Sequence, residues 1–149
     1  MRNLRQPAVV ACRMLVSLLL DDEWIQPVSA DLIYDSMDPY AVCMAFHVAG
    51  DSVVCWVFAR DLLIGGRSRI TGEGDIRVWP SARGAVNEVC VQLRPGGEAE
   101  RVVLIASARA VEAFLHRTLQ AVPAGTETGH LDLDDLADQL LNRPGRPHG

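Results

Sequence analysis

The chain has 149 residues, 49% of them hydrophobic and 22% charged, which is enough to bury one core and too apolar for a disordered chain. Its 19 acids against 14 bases give a net charge of -5, and only 5% of its residues are aromatic. That balance argues against nonspecific polyanion binding, which needs clustered positive charge and rings for stacking. The charge is also segregated: residues 1–13 carry +3, residues 14–59 carry -7, residues 60–117 carry +2 and residues 118–149 carry -3. Such a layout suits protein partners or self-assembly.

In chain order, Ala8 to Leu20 is apolar, interrupted by Arg13 and Ser17, and reads equally as a strand or a buried helix. With Arg2 and Arg5 before it the segment looks like an export signal. Arg13 breaks the apolar run, however, and Asp21, Asp22 and Glu23 follow without a small-residue cleavage site. The expectation is a cytoplasmic protein without a spanning segment, since a helix needs about 20 apolar residues to cross a bilayer. Cys12, Cys43, Cys55 and Cys90 lie in apolar runs at irregular spacing, as buried thiols of a reducing compartment do.

Val28 to Tyr34, Ala41 to Val48 and Ser52 to Phe58 are short runs rich in Val, Cys and aromatic residues, separated by the turn sequences 36–39 and 49–51, and read as strands. In the third run both alternating sets are apolar, Val53/Cys55/Val57 and Val54/Trp56/Phe58, which predicts cover on both faces. A short helix, Ala59 to Ile64, should stop at Gly65 and Gly66 by a left-handed residue. Two strands, Arg67 to Ile70 and Asp75 to Trp79, should flank a turn at 71–74 whose glycines take positive φ. Glu88 to Leu93 alternates, with Val89, Val91 and Leu93 inward and Glu88, Cys90 and Gln92 on the other face. After Pro95, Gly96 and Gly97 the chain should resume as a strand over Arg101 to Ala106.

Ser107 to Val122 carries the best helical pattern, with Val111, Phe114, Leu115, Thr118 and Val122 on one side, Ser107 as N-cap and Pro123 as the stop. A polar linker then leads to an acidic helix over 132–141, whose Asp-rich first turn suits the helix dipole, and to a disordered tail over 142–149. The expectation is an α+β fold of antiparallel sheets in two four-strand-plus-helix halves, as a single domain over residues 1–131.

Chemistry-bearing patterns are sparse. Cys43 with His47 and Glu112 with His116 share faces at metal-ligand spacing but lack a second pair, and packing or solvated pairing explains them better. There is no Gly-x-Ser-x-Gly elbow, no phosphate-cradling glycine pattern and no His-Glu-x-x-His. Asp35 and Asp38 beside Tyr34 and Tyr40 read as turn chemistry. Arg67, Arg69, Arg77 and Arg83 with Trp79 form a basic run with one ring, a weak signal for single-stranded nucleic acid, for which pairing of these arginines with Glu73 and Asp75 is the plainer alternative. No catalytic, cofactor or metal site is expected.

Three blocks taken together carry a resemblance: Tyr34-Asp35-Ser36-Met37-Asp38-Pro39-Tyr40-Ala41-Val42, then Trp56-Val57-Phe58-Ala59-Arg60-Asp61-Leu62-Leu63, then Gly72-Glu73-Gly74-Asp75-Ile76-Arg77-Val78-Trp79-Pro80. With Phe114 to Thr118 and Val122 to Glu127 in the same order, the chain resembles the SsgA-like proteins of actinomycetes, regulators of sporulation and cell division, over roughly residues 8 to 130. A chain whose bases are all Arg fits a GC-rich genome of that kind. The resemblance implies a non-enzymatic adaptor at the septum, with a fold similar to the Whirly single-stranded-DNA-binding fold and a homotrimeric state. It further implies, as partners, the tubulin-like division GTPase FtsZ and another SsgA-like protein. Tyr40, Arg60, Asp61, Arg77 and Trp79 are the candidate partner-interface residues, being polar or amphipathic groups inside the shared blocks. The alternative is a single-stranded nucleic-acid binder of Whirly-like fold.

Overall fold

Period-two alternation settles the first segment as a strand: Val10, Val16 and Leu18 are buried with Cys12 and Met14 packed beside them, while Val9 and Leu15 project outward. The structure, a computed structural model, describes residues 7–20, 24–47, 51–72, 74–83, 86–94 and 101–130. Among these residues the elements are β1 (Val9–Leu20), β2 (Trp24–Asp35), β3 (Ala41–His47), β4 (Val53–Ala59), α1 (Arg60–Gly66), β5 (Ile76–Arg83), β6 (Val86–Leu93), β7 (Val102–Ser107) and α2 (Ala108–Ala121). A 3-10 turn, Glu127–His130, closes the described chain. The acidic helix and tail expected over 132–149 lie outside the described residues.

The strands form one seven-stranded sheet in the order β4-β3-β2-β1-β7-β6-β5, antiparallel throughout. β1 and β2 pair along their full length, from Val9 opposite Asp35 to Leu20 opposite Trp24, so β2 starts four residues before the expected Val28. The far end of β1 also pairs with β7, from Ser17 opposite Ile105 to Leu20 opposite Val102, which joins the two halves into a single sheet. Both helices pack on one face. There Leu63 of α1 and Val111, Phe114 and Leu115 of α2 share a core with Leu32, Met44, Val91 and Leu104. Burying Phe114 or Leu115 contributes about 2 kcal/mol each.

The expected halves are unequal. The first has four strands and α1, but the second has three strands and α2, because Arg67 to Ile70 is not a strand. The amides of Ser68 and Arg69 bond back to the Gly65 carbonyl at 3.1 Å each and wrap that stretch around the end of α1. What remains of the fourth strand is one bridge, Thr71 with Val78, whose N–H and C=O groups exchange bonds of 2.8 Å. Gly72 and Gly74 take positive φ, as a turn there requires.

The helix α1 does not end in a left-handed glycine either; Gly65 and Gly66 lie inside it and Arg67 caps it in right-handed geometry. The glycines serve close approach. A Cβ on Gly66 would lie 2.1 Å from Val78 Cγ1, so only glycine lets α1 lie against β5. The two-sided cover expected for β4 also fails: Val53, Val54 and Val57 are exposed, and Phe58 alone of its apolar residues is buried. As an edge strand with one uncovered face it has too few neighbours. β6 shows the converse, since Cys90 and Gln92 on its outer face are buried along with Val89, Val91 and Leu93.

Candidate functional site

Three of the five candidate residues meet at the start of α1. Tyr40 closes a turn in which Asp35 Oδ1 accepts from the Met37 amide at 2.9 Å, so Asp35 does turn work as its sequence context implies. The Tyr40 carbonyl accepts the Arg60 amide at 2.7 Å, which satisfies a first-turn N–H of a helix whose N-cap side chain makes no bond. Half-exposed, Tyr40 shares a hydrogen bond of 2.6 Å between its hydroxyl and Thr128 Oγ1. Asp61 is exposed in the first turn of α1, where its charge suits the helix dipole.

Arg60 is the correction. It is 1% exposed, and its guanidinium is an internal clasp, so it does not present a contact surface. Nη1 donates to the Thr118 carbonyl at 3.2 Å, which also accepts the Val122 amide at 2.8 Å, and to the carbonyl of Val122, the residue that caps α2, at 2.8 Å. Nη2 reaches Glu127 Oε2 at 3.0 Å, and the guanidinium carbon stands 4.9 Å from the centre of the Tyr34 ring. Tyr34 in turn donates its hydroxyl to the Pro39 carbonyl at 2.9 Å, and burial pushes that phenol up from its ordinary value. The other Glu127 oxygen accepts the Gly125 amide at 2.8 Å. Bonding by its own backbone amide, and then by Arg60 and Gly125, holds the Glu127 carboxyl below the usual range. One arginine thus ties the β2–β3 turn, α1, the end of α2 and the closing 3-10 turn together.

Arg77 and Trp79 lie elsewhere, on the outer face of β5. They line a groove of about 410 Å³ with Arg69, Ile70, Pro80, Gln92 and Arg101. Trp79, like Leu19, packs against the small second core of the sheet, Cys90, Val103 and Ile105. Of the basic run read in the sequence, Arg69 and Arg77 reach this groove. Arg67 turns away to Glu112 at 3.7 Å, and the side chain of Arg83 lies outside the described residues. Arg101 was missed, and it enters because β6 and β7 pair from Leu93 opposite Val102. Its Nη1 donates to Gln92 Oε1 at 3.4 Å.

The outer face of β1–β4 is a third feature. Val9, Leu15, Ile25, Val53 and Val57 are exposed on it, Leu15 by 71%. A polar island sits among them, with Arg13 gripping Asp31 through two bonds of 2.9 and 3.0 Å and His47 Nε2 3.0 Å from Asp31 Oδ2. Arg13, then His47, lowers the Asp31 carboxyl from its ordinary 3.8 to about 2. His47 is therefore engaged by Asp31 and is not held with Cys43, whose thiol is pushed up by burial and, to a lesser extent, by Cys55. Among the described residues no group of three or more His, Cys, Asp or Glu side chains is placed to hold a metal. No helix among them is long and apolar enough to cross a membrane.

Fold and surfaces together define a single-sheet α+β scaffold with both helices on one face, an apolar opposite face and a basic groove at one edge. Residues 28–127 match the family model described as Streptomyces sporulation and cell division protein, SsgA, and the chain belongs to that family. It is 49% identical over 133 residues to the sporulation-specific cell division protein SsgB of Streptomyces coelicolor, covering 89% of this chain and 95% of that protein. The SsgB protein of Thermobifida fusca is 41% identical over 133 residues, covering 88% and 94%. Two solved structures are similar as well. One, from work correlating mutations in SsgB with longitudinal cell division during sporulation of Streptomyces coelicolor, has a TM-score of 0.78 at 45% identity, covering 87% of this chain and all of that one. The other, the SsgA-like sporulation-specific cell division protein of Thermobifida fusca, has a TM-score of 0.81 at 36% identity, covering 93% and 99%.

Proposed function

We propose that this chain is a non-enzymatic adaptor of sporulation-specific cell division, which assembles as a homotrimer in the cytoplasm at the septum and helps recruit or organise the FtsZ ring with another SsgA-like protein. The carrying observation is the outer face of β1–β4, where Val9, Leu15, Ile25, Val53 and Val57 stand exposed. Apolar side chains spread over a sheet face fit cover by protein, and second copies of the chain are the proposed cover. The Arg13–Asp31–His47 island would fix the register of such a contact. On this reading a Whirly-like scaffold is turned toward proteins, and a net charge of -5 with one indole in the basic groove disfavours the nucleic-acid alternative.

The test is co-sedimentation of the purified chain with FtsZ polymers, alongside its mass in solution. Pelleting that requires FtsZ polymer, from a trimer, is expected; a monomer at micromolar concentration, or a chain left in the supernatant, contradicts the reading. Leu15→Asp with Val57→Asp should lower the mass to that of a monomer while thermal stability stays nearly constant, because both side chains are exposed in the single chain.

A further inference from the structure

Two features stand outside the adaptor reading and are opposite in charge. The first is the groove beside β5. The seven described residues that line it include three arginines and no carboxylate, and neither Arg69 nor Arg77 forms an ion pair with a described residue. Ile70, 62% exposed, with Trp79 and Pro80 gives the groove an apolar side. An occupant cannot be read by strand addition here. Thr71 already takes both backbone groups of Val78, and Pro80 has no N–H to offer. Recognition therefore falls to side chains, with guanidinium forks for carboxylates and an indole and an isoleucine for aliphatic groups.

The second feature is the stretch after His130. Residues 131–141 hold Asp132, Asp134, Asp135 and Asp138, five leucines and no base. That is the complementary chemistry, carboxylates interleaved with aliphatic side chains. We propose that the groove formed by Arg69, Arg77, Trp79 and Arg101 is the docking site of the same chain's acidic segment, residues 131–141.

Reach supports an intrachain contact. Glu127 touches Arg60 at the start of α1, and Arg69 lies just past the end of that helix. Seven helical residues span about 10 Å, a distance that residues 131–138 can bridge as a helix of about 12 Å or extended over roughly 25 Å. Tethering places the segment at an effective concentration on the order of millimolar, so modest intrinsic affinity suffices to hold it. A single-stranded nucleic acid is the poorer match, because a net charge of -5 repels it and the groove offers one ring.

The experiment places a photo-reactive benzoylphenylalanine at Leu136 of the full chain and maps the cross-links by mass spectrometry. Cross-links to residues 69–80 or 92–101 within one chain are expected. They should be lost in Arg69→Glu/Arg77→Glu and regained when Asp134→Arg/Asp135→Arg is added. Because Arg69 and Arg77 are exposed, the charge reversal should leave the thermal midpoint almost unmoved, which separates lost docking from lost folding. In a second arm, a labelled peptide of residues 131–141 is titrated onto the full chain carrying Asn at positions 132, 134, 135 and 138. Saturable binding that Arg77→Glu weakens at least tenfold supports the proposal. Cross-links elsewhere or none, cross-links only between isotopically distinct copies, indifference to the reversal, or tighter binding of a labelled oligo-dT than of the peptide would each overturn it.

Discussion

Arg60 and Arg77 both lie within the residues that the family model matches, yet the molecule uses them in opposite ways. Around Arg60 every neighbour is internal: carbonyls from the end of α2, the Glu127 carboxylate and the Tyr34 ring meet a guanidinium that is 1% exposed. Around Arg77 the charge faces outward with Arg69, beside an indole, in a groove whose described lining residues include no carboxylate. A buried cation with its partners present is part of the fold, and removing it leaves the Glu127 carboxylate without its ion-pair partner. A surface cation without an internal partner costs the fold almost nothing and is available to something else. The difference lies in what the chain folds around each arginine, and not in the residue type.

The sharpest way to break this comparison is Arg60→Ala. It should cost about 3–5 kcal/mol, the usual penalty for leaving a buried partner unpaired. The thermal midpoint would then fall by roughly 10 °C or more in a calorimetric scan. Gly66→Ala comes next. Its Cβ would meet Val78 Cγ1 at 2.1 Å, so α1 must shift off β5, at about 1–3 kcal/mol measured by urea denaturation.

A smaller effect is expected at Asp31. Its folded carboxyl titrates near 2 against an ordinary 3.8. Its stabilising share is therefore complete above the unfolded value and is lost as pH falls from about 4 toward 2. Asp31→Asn should flatten the acid-side stability curve in that window and leave it unchanged near neutrality apart from a constant offset. The smallest effect is predicted for Arg77→Glu, within about 0.5 kcal/mol of the parent by the same denaturation curve. A large loss there would mean that the groove is structural after all, and the contrast with Arg60 would collapse.

How much of this was legible in the sequence follows from the range of the forces involved. α2 was readable residue by residue: Val111, Phe114, Leu115, Thr118 and Val122 are all buried, and Ser107 Oγ accepts the Ala110 amide at 3.3 Å as the cap. Local periodicity and capping decide such a helix. β4 was misread because composition does not tell an edge strand from a central one. Gly65 and Gly66 read as a helix stop in the sequence, whereas they serve close approach to Thr71 and Val78, a requirement set by tertiary packing. The role of Arg60 was hidden for the same reason, since Thr118, Val122 and Glu127 are 58 to 67 positions away. Arg77 and Trp79 were legible as a pair on one strand face, while Arg101 was brought to them only through β6.

The central claim, that this family member organises division at the septum, is tested most directly by following a fluorescent fusion of the full chain in sporulating hyphae. Regularly spaced bands at future septum sites, coincident with FtsZ, are the predicted result. Diffuse fluorescence, or signal over the nucleoids, would contradict the account.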